Sequence, residues 1–202
     1  MRRSTYIPTA ALLMLAIAGS PAVANSFRAR GQAATIAGTP LTVTPPRDWN
    51  RLGATVGKKT ETWTLDGEEL NDVTFFAGIE VGKPLMKEAH KKRAPLPKLR
   101  RNTLLVEIPE LLEGTYRAQR GIATFTVSGT RPDRFLGHDG IRFTFDYVDG
   151  DELPRRGEGV ATLIHGQLYM ATFSAPRLHY YDRTITEFHA LVDSATMTAT
   201  RG

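Results

Sequence analysis

No cysteine occurs among the 202 residues, which excludes disulfides, thiolate metal sites, a cysteine nucleophile and a lipidated N-terminal cysteine. Long apolar runs are missing as well: Ala10 to Ala18 is too short to span a bilayer. There is no Gly-x-Ser-x-Gly, no His-Glu-x-x-His and no Gly-rich phosphate loop, so the commoner hydrolase and nucleotide-binding signatures are absent. Few aromatics are interleaved with the basic residues, which leaves single-stranded nucleic acid without stacking platforms and argues against it as a partner. No internal repeat and no second domain are visible. The length suits one domain with its own core and no covalent staples.

The first 24 residues carry the order of an export signal. Arg2 and Arg3 precede the apolar run, and Ala22-Val23-Ala24 supplies the small residues that a signal peptidase accepts. Ser4-Thr5-Tyr6 fits a twin-arginine signal poorly, so the expectation is the general secretory route with cleavage after Ala24. Residues 25–202 would then be a periplasmic or secreted domain with no transmembrane segment.

Charge is distributed unevenly. The whole chain carries +5, yet Lys83, Lys87, Lys91, Lys92, Arg93, Lys98, Arg100 and Arg101 are opposed within their span only by Glu88. The remainder of the mature chain is slightly acidic, so the sequence pI near 9.6 describes one segment. With three prolines, Gly82 to Leu99 reads as an exposed basic excursion.

Periodicity gives the elements. In Gly159 to Phe173 two β-favouring runs flank His165-Gly166, a pair suited to the positive φ angles of a two-residue hairpin turn. Leu168, Met170 and Thr172 alternate with Tyr169, Ala171 and Phe173, so both faces of that strand are expected to be covered. Tyr181, Ile185, Phe188 and Val192 form one stripe of a following helix, with Pro176 suited to its first turn and Ser174 to its cap. Ile108 to Arg120 reads as a second helix, opened by Pro109 and closed by Gly121.

Ile141, Phe143, Phe145 and Tyr147 alternate with Arg142, Thr144 and Asp146, which marks a strand of an antiparallel sheet with the polar set outward. Ala33 to Ala37, Leu41 to Thr44, Thr60 to Leu65, Val73 to Ile79 and Ile122 to Ser128 are further strands, while Asn25 to Gln32 reads as loose. Trp49 is read as a core anchor. The fold class is α+β: an antiparallel β-sheet covered by helices.

The Pro45-Pro46-Arg47-Asp48-Trp49 turn, the strand Gly166 to Phe173, and Tyr180-Tyr181 through Phe188, Leu191, Val192 and Ser194 resemble the PsbP-like family. That family includes the extrinsic oxygen-evolving protein of photosystem II, Ran-binding relatives and exported bacterial proteins of unknown role. The resemblance implies an α/β/α sandwich with no cofactor and usually no catalytic activity. It places none of the family's partner-binding residues here and does not account for the basic excursion.

Several groupings carry chemistry in principle. His189 and Asp193 lie one helical turn apart, with His179 upstream, and this trio is the best basis for an alternative reading as an unrecognised hydrolase or metal-dependent enzyme. His138-Asp139-Gly140 and His165 read as hairpin turns. Asp146, Asp149, Asp151 and Glu152 around Gly150 suggest hard-cation ligands but lack the EF-hand spacing, so a polar hairpin tip is the expectation. The basic excursion has the strongest claim, because clustered lysines and arginines favour anionic surfaces such as envelope phospholipid. The leading reading is a non-catalytic accessory protein whose partner is an unknown protein or an anionic envelope surface.

Overall fold

The computed structural model describes residues 25–89 and 94–198. Residues 1–24, read from sequence as an export signal, and Lys91, Lys92 and Arg93 of the basic excursion lie outside the described residues.

In chain order the strands are β1 (Ser26–Arg28), β2 (Ala34–Thr35), β3 (Leu41–Val43), β4 (Trp49–Arg51), β5 (Thr60–Thr64) and β6 (Asp72–Ile79). A 3-10 turn (Leu105–Glu107) and helix α1 (Ile108–Arg120) follow, then β7 (Phe125–Phe135), β8 (His138–Val148), β9 (Pro154–Ile164) and β10 (Gln167–Pro176). Helix α2 (Tyr180–Asp193) and β11 (Thr196–Met197) close the series. Eight strands form one antiparallel sheet in the order β1-β4-β5-β6-β10-β9-β8-β7, and β11-β3-β2 form a second. The architecture is α+β.

The two-residue loop between β9 and β10 is His165-Gly166, both at positive φ (50° and 75°), as the twist of a tight hairpin demands. Helix α1 begins beside Pro109 and ends at Gly121, as its sequence signals indicate. Helix α2 starts later than expected. Pro176 is the last residue of β10, and Ser174 hydrogen-bonds to Asp72 rather than capping the helix. Asn25 to Gln32 is also more ordered than its composition suggests, because β1 pairs with β4 as an edge strand.

Both faces of the large sheet are apolar. On one side Trp49, Trp63, Phe75 and Phe173 meet Phe188 and Leu191 of α2, Ile36 just after β2 and Leu41 of β3. On the other, Phe76, Phe143, Phe145 and Met170 meet Leu112 and Tyr116 of α1. Tyr116 sets its ring edge-on to Phe125 and Tyr147, at centroid distances of 5.5 and 5.4 Å.

Close approach decides two glycines. Phe145 stands opposite Gly157 and Phe143 opposite Gly159 in the β8–β9 ladder, and each ring occupies the space that a Cβ on its partner would need. Gly157→Ala or Gly159→Ala is therefore expected to destabilise by about 1–3 kcal/mol, as overpacking does. Gly150→Ala, with nothing within 4 Å of its Cβ position, should leave the urea midpoint nearly unchanged; equal midpoints for all three variants would show that the rings move aside freely.

Candidate anion-binding surface

Gly82 to Leu99 is expected from sequence to be exposed, yet four of its described side chains are covered. Leu85, Met86, Leu96 and Leu99 are buried against the sheet. Its two arms are tied by the Gly82 N–H to the Leu99 carbonyl (2.8 Å) and the Leu99 N–H to the Lys83 carbonyl (3.0 Å). The Lys87 N–H reaches Val56 O at 2.6 Å, and Glu88 Oε1 accepts from the Leu96 N–H at 3.2 Å. With the apolar side chains turned inward, Lys83, Lys87, Lys98, Arg100 and Arg101 are left exposed.

Lys83, Lys87 and Lys98 share the rim of an open depression of about 860 Å³ floored by Ile79, Leu85 and Met86. The β4–β5 loop adds Lys58 and Lys59, which sequence reasoning missed; the dipeptide was visible, but its place beside the excursion follows from the Lys87–Val56 contact. Lys59 Nζ donates to Glu80 Oε1 at 2.8 Å and to the Gly78 carbonyl at 3.1 Å. That hydrogen bond and the charge of Lys59, with Lys83 beyond it, hold the Glu80 carboxyl below its ordinary pKa. Among the described residues Lys58, Lys83, Lys87 and Lys98 have no ion-pair partner within 4.0 Å. Arg100 belongs to a neighbouring, smaller hollow with Lys98, Glu107 and Glu110, and lies 3.8 Å from Glu107.

The remaining sequence candidates do not converge. His189 Nε2 donates to Glu158 Oε1 of β9 at 2.9 Å rather than meeting Asp193, which is exposed. His179 stands ten residues earlier, about 15 Å along an α-helix, at a positive φ of 71° with its ring edge-on to Tyr180. His138-Asp139-Gly140 is not a turn: the loop is Leu136-Gly137, and the three residues are paired within β8. Asp149 accepts from the backbone N–H of Asp151 and of Leu153, and Asp146 pairs with Arg156, as suits a polar hairpin tip. Among the described residues no three His, Cys, Asp or Glu are grouped to hold a metal, and no helix is long and apolar enough to cross a membrane.

Three other charge clusters are closed. Glu61 accepts from Arg28, from Trp63 Nε1 at 2.8 Å and from the Ala37 N–H at 3.0 Å, with Arg51 3.3 Å away. Arg142, expected to face water, is buried between Glu158 and Asp133, each 2.5 Å from it. Asp72 accepts from Ser174 Oγ at 2.7 Å beside Arg155. These charges are paired with one another, although the buried Nε–H of Arg51 and that of Arg155 find no hydrogen-bond acceptor.

The chain matches no protein-family model and no curated protein. Among solved structures it is similar to cyanobacterial PsbP from Synechocystis (14% identity, TM-score 0.48, covering 91% of this chain and 98% of that one). It is similar also to LpqN of Mycobacterium tuberculosis, described as involved in cell envelope biogenesis (9%, 0.35, 90% and 88%). A third is the Ran-binding protein Mog1p of Saccharomyces cerevisiae (8%, 0.46, 82% and 94%). At these TM-scores the likenesses carry no argument about function, and the α+β class stands on the strands and helices themselves.

The buried carboxylates make opposite pH predictions. Burial alone would raise the Glu61 carboxyl, but the hydrogen bonds from Ala37, Arg28 and Trp63 and the charge of Arg28 hold it below its ordinary value. Burial raises that of Asp72 against the opposing pull of Arg120, the Ser174 hydrogen bond and Arg155. The Glu61 contribution is thus present above the unfolded carboxyl pKa and lost as pH falls through the folded value; the Asp72 contribution is lost as pH rises through its folded value. Glu61→Gln is expected to cost about 2–4 kcal/mol near neutrality by stranding partly exposed guanidiniums. In urea unfolding from acid to neutral pH, the wild-type advantage over Glu61→Gln should widen as pH rises, while that over Asp72→Asn should shrink. Parallel curves would show that neither carboxyl is shifted.

Proposed function

We propose that this chain is an exported, non-catalytic accessory protein that attaches to anionic envelope surfaces through the lysine-rimmed face. The observation that carries the reading is the set Lys58, Lys83, Lys87 and Lys98, contributed by two separate loops, exposed around one depression with no ion-pair partner among the described residues. Gathering like charges from separate loops raises the local field beyond what either loop provides, and it concentrates anions there. Arg100 adjoins the face through Lys98, and Arg101, Lys91, Lys92 and Arg93 join the proposal from sequence alone. Each cation near an anionic bilayer contributes about 1 kcal/mol, so four to six suffice for reversible attachment without any pocket of defined specificity. The enzyme reading required His189, Asp193 and His179 to meet, and they do not.

Export is tested by fractionation: removal of residues 1–24 should hold the protein in the cytoplasm, and recovery of that variant from the periplasm would count against the signal assignment. Attachment is tested by sedimentation with anionic and neutral phospholipid vesicles. The mature protein should pellet with the anionic vesicles at low salt and be released at 1 M, where the Debye length falls to about 3 Å. A variant with Lys58, Lys83, Lys87 and Lys98 changed to Gln should bind at least tenfold more weakly. Equal binding by both proteins would sink the proposal.

A further inference from the structure

We infer that the face is built to enter the bilayer interface as well as to sit above it, with Leu104 and Val106 as the inserting side chains. The inference rests on the anionic-surface reading and adds to it an apolar anchor and hence a lipid bilayer as the surface.

Leu104 and Val106 are 62% and 63% exposed, although both are large and aliphatic. Single exposed hydrophobic residues are ordinary, but these two flank Leu105, which packs against the core. The pair is therefore held outward by an anchored residue between them. Their backbone is fixed locally: the Arg100 N–H donates to Thr103 Oγ1 at 2.9 Å, the Leu104 N–H to Glu107 Oε2 at 2.8 Å, and the Glu107 N–H to the Leu104 carbonyl at 3.0 Å. Directly behind, Ile108 is fully buried at the start of α1. Val81 is exposed as well, next to Gly82, whose N–H bonds to the Leu99 carbonyl.

Charge selects the occupant. Arg100 and Arg101 lie within six residues of Val106, and Lys98 and Lys83 adjoin across the paired arms of the excursion. Of the opposing carboxylates, Glu107 is engaged by the Leu104 N–H and by Arg100, which leaves Glu110 as the nearby unpaired acid among the described residues. An exposed aliphatic pair a few residues after Arg100 and Arg101, with Lys98 beside Arg100, matches a bilayer interface, where the aliphatic tips pass the headgroups and the long cationic side chains reach phosphate. A protein partner would instead be expected to meet a depleted-charge apolar centre, which this pair lacks.

The test uses the mature chain with Val106→Trp, Leu104→Ser/Val106→Ser, and the Lys58, Lys83, Lys87 and Lys98 to Gln variant. Both native tryptophans, Trp49 and Trp63, are buried, so a new emission component reports position 106. With anionic phospholipid vesicles the Val106→Trp emission should shift to shorter wavelength and be quenched by brominated acyl chains, and Leu104→Ser/Val106→Ser should bind at least tenfold more weakly than wild type while keeping its urea midpoint. Salt-sensitive binding with no quenching, and with the serine variant unimpaired, would overturn insertion and leave electrostatic attachment standing. Failure of the wild type to bind anionic vesicles at any salt would overturn both. A wavelength shift that needs no vesicles and grows with protein concentration would make the pair a contact between copies of the chain and overturn insertion.

Discussion

A sheet that is apolar on both faces must be covered on both, and everything else in this molecule follows from how that cover is supplied. Eight antiparallel strands span about 34 Å at a spacing near 4.8 Å, whereas helices of 13 and 14 residues are only about 20 Å long. Neither helix covers its face alone. On one side α2 takes the β9–β10 half, and the small sheet of β2, β3 and β11 takes the remainder over Trp49 and Trp63. On the other side α1 covers the aromatic cluster of β7 and β8, and the irregular segment between β6 and the 3-10 turn covers Phe76 and Ile79. A basic, proline-rich stretch is thereby recruited as half of a core layer. Leu85, Met86, Leu96 and Leu99 are committed inward, and its described cations are left on the outside.

The same requirement explains how much was legible from sequence. Helix α1 could be bounded to the residue because Pro109 and Gly121 act locally, and the His165-Gly166 hairpin because both residues accept the backbone the turn imposes. The β7–β8 hairpin was misplaced for the converse reason. Asp139-Gly140 is the stronger turn signal, yet the chain turns at Leu136-Gly137 and accepts Leu136 at a φ of 55°. Register decides it: with Phe135 paired to His138, the hairpin brings Phe125 opposite Tyr147, where its ring stacks on Phe145 and Tyr147. Long-range fit outweighs a local preference of the order of a kcal/mol.

Alternation along β8 identified the core face correctly but could not show that the opposite face was covered as well. Arg142 reads as a solvent residue in any binary pattern, and its burial becomes tolerable only because β7 and β9 bring Asp133 and Glu158 to it. Glu61 repeats the device at the other end of the sheet, where it holds Arg28 of β1, Arg51 of β4 and the turn of the small sheet at once. That tie gives order to an N-terminal segment whose own composition offers almost none. Charges meeting from strands far apart in sequence leave no periodic trace, so such clusters become visible only when the fold is known.

The proposed binding surface stands in the same relation to sequence as the buried clusters do. The cationic run was conspicuous, but Lys58 and Lys59 become part of it only through the contact of the β4–β5 loop with the excursion, and Leu104 and Val106 only because Leu105 is fixed between them. Buried ionic clusters consume their charges pairwise; this face gathers its cations without pairing most of them and leaves aliphatic side chains in water beside them. Both features are unfavourable in the isolated protein, the first through like-charge repulsion and the second through hydration of apolar surface. Both are relieved together by an anionic layer with an apolar interior. A cover layer that had only to complete the core would need neither, and that excess over what the fold requires is the physical basis for assigning the face a partner.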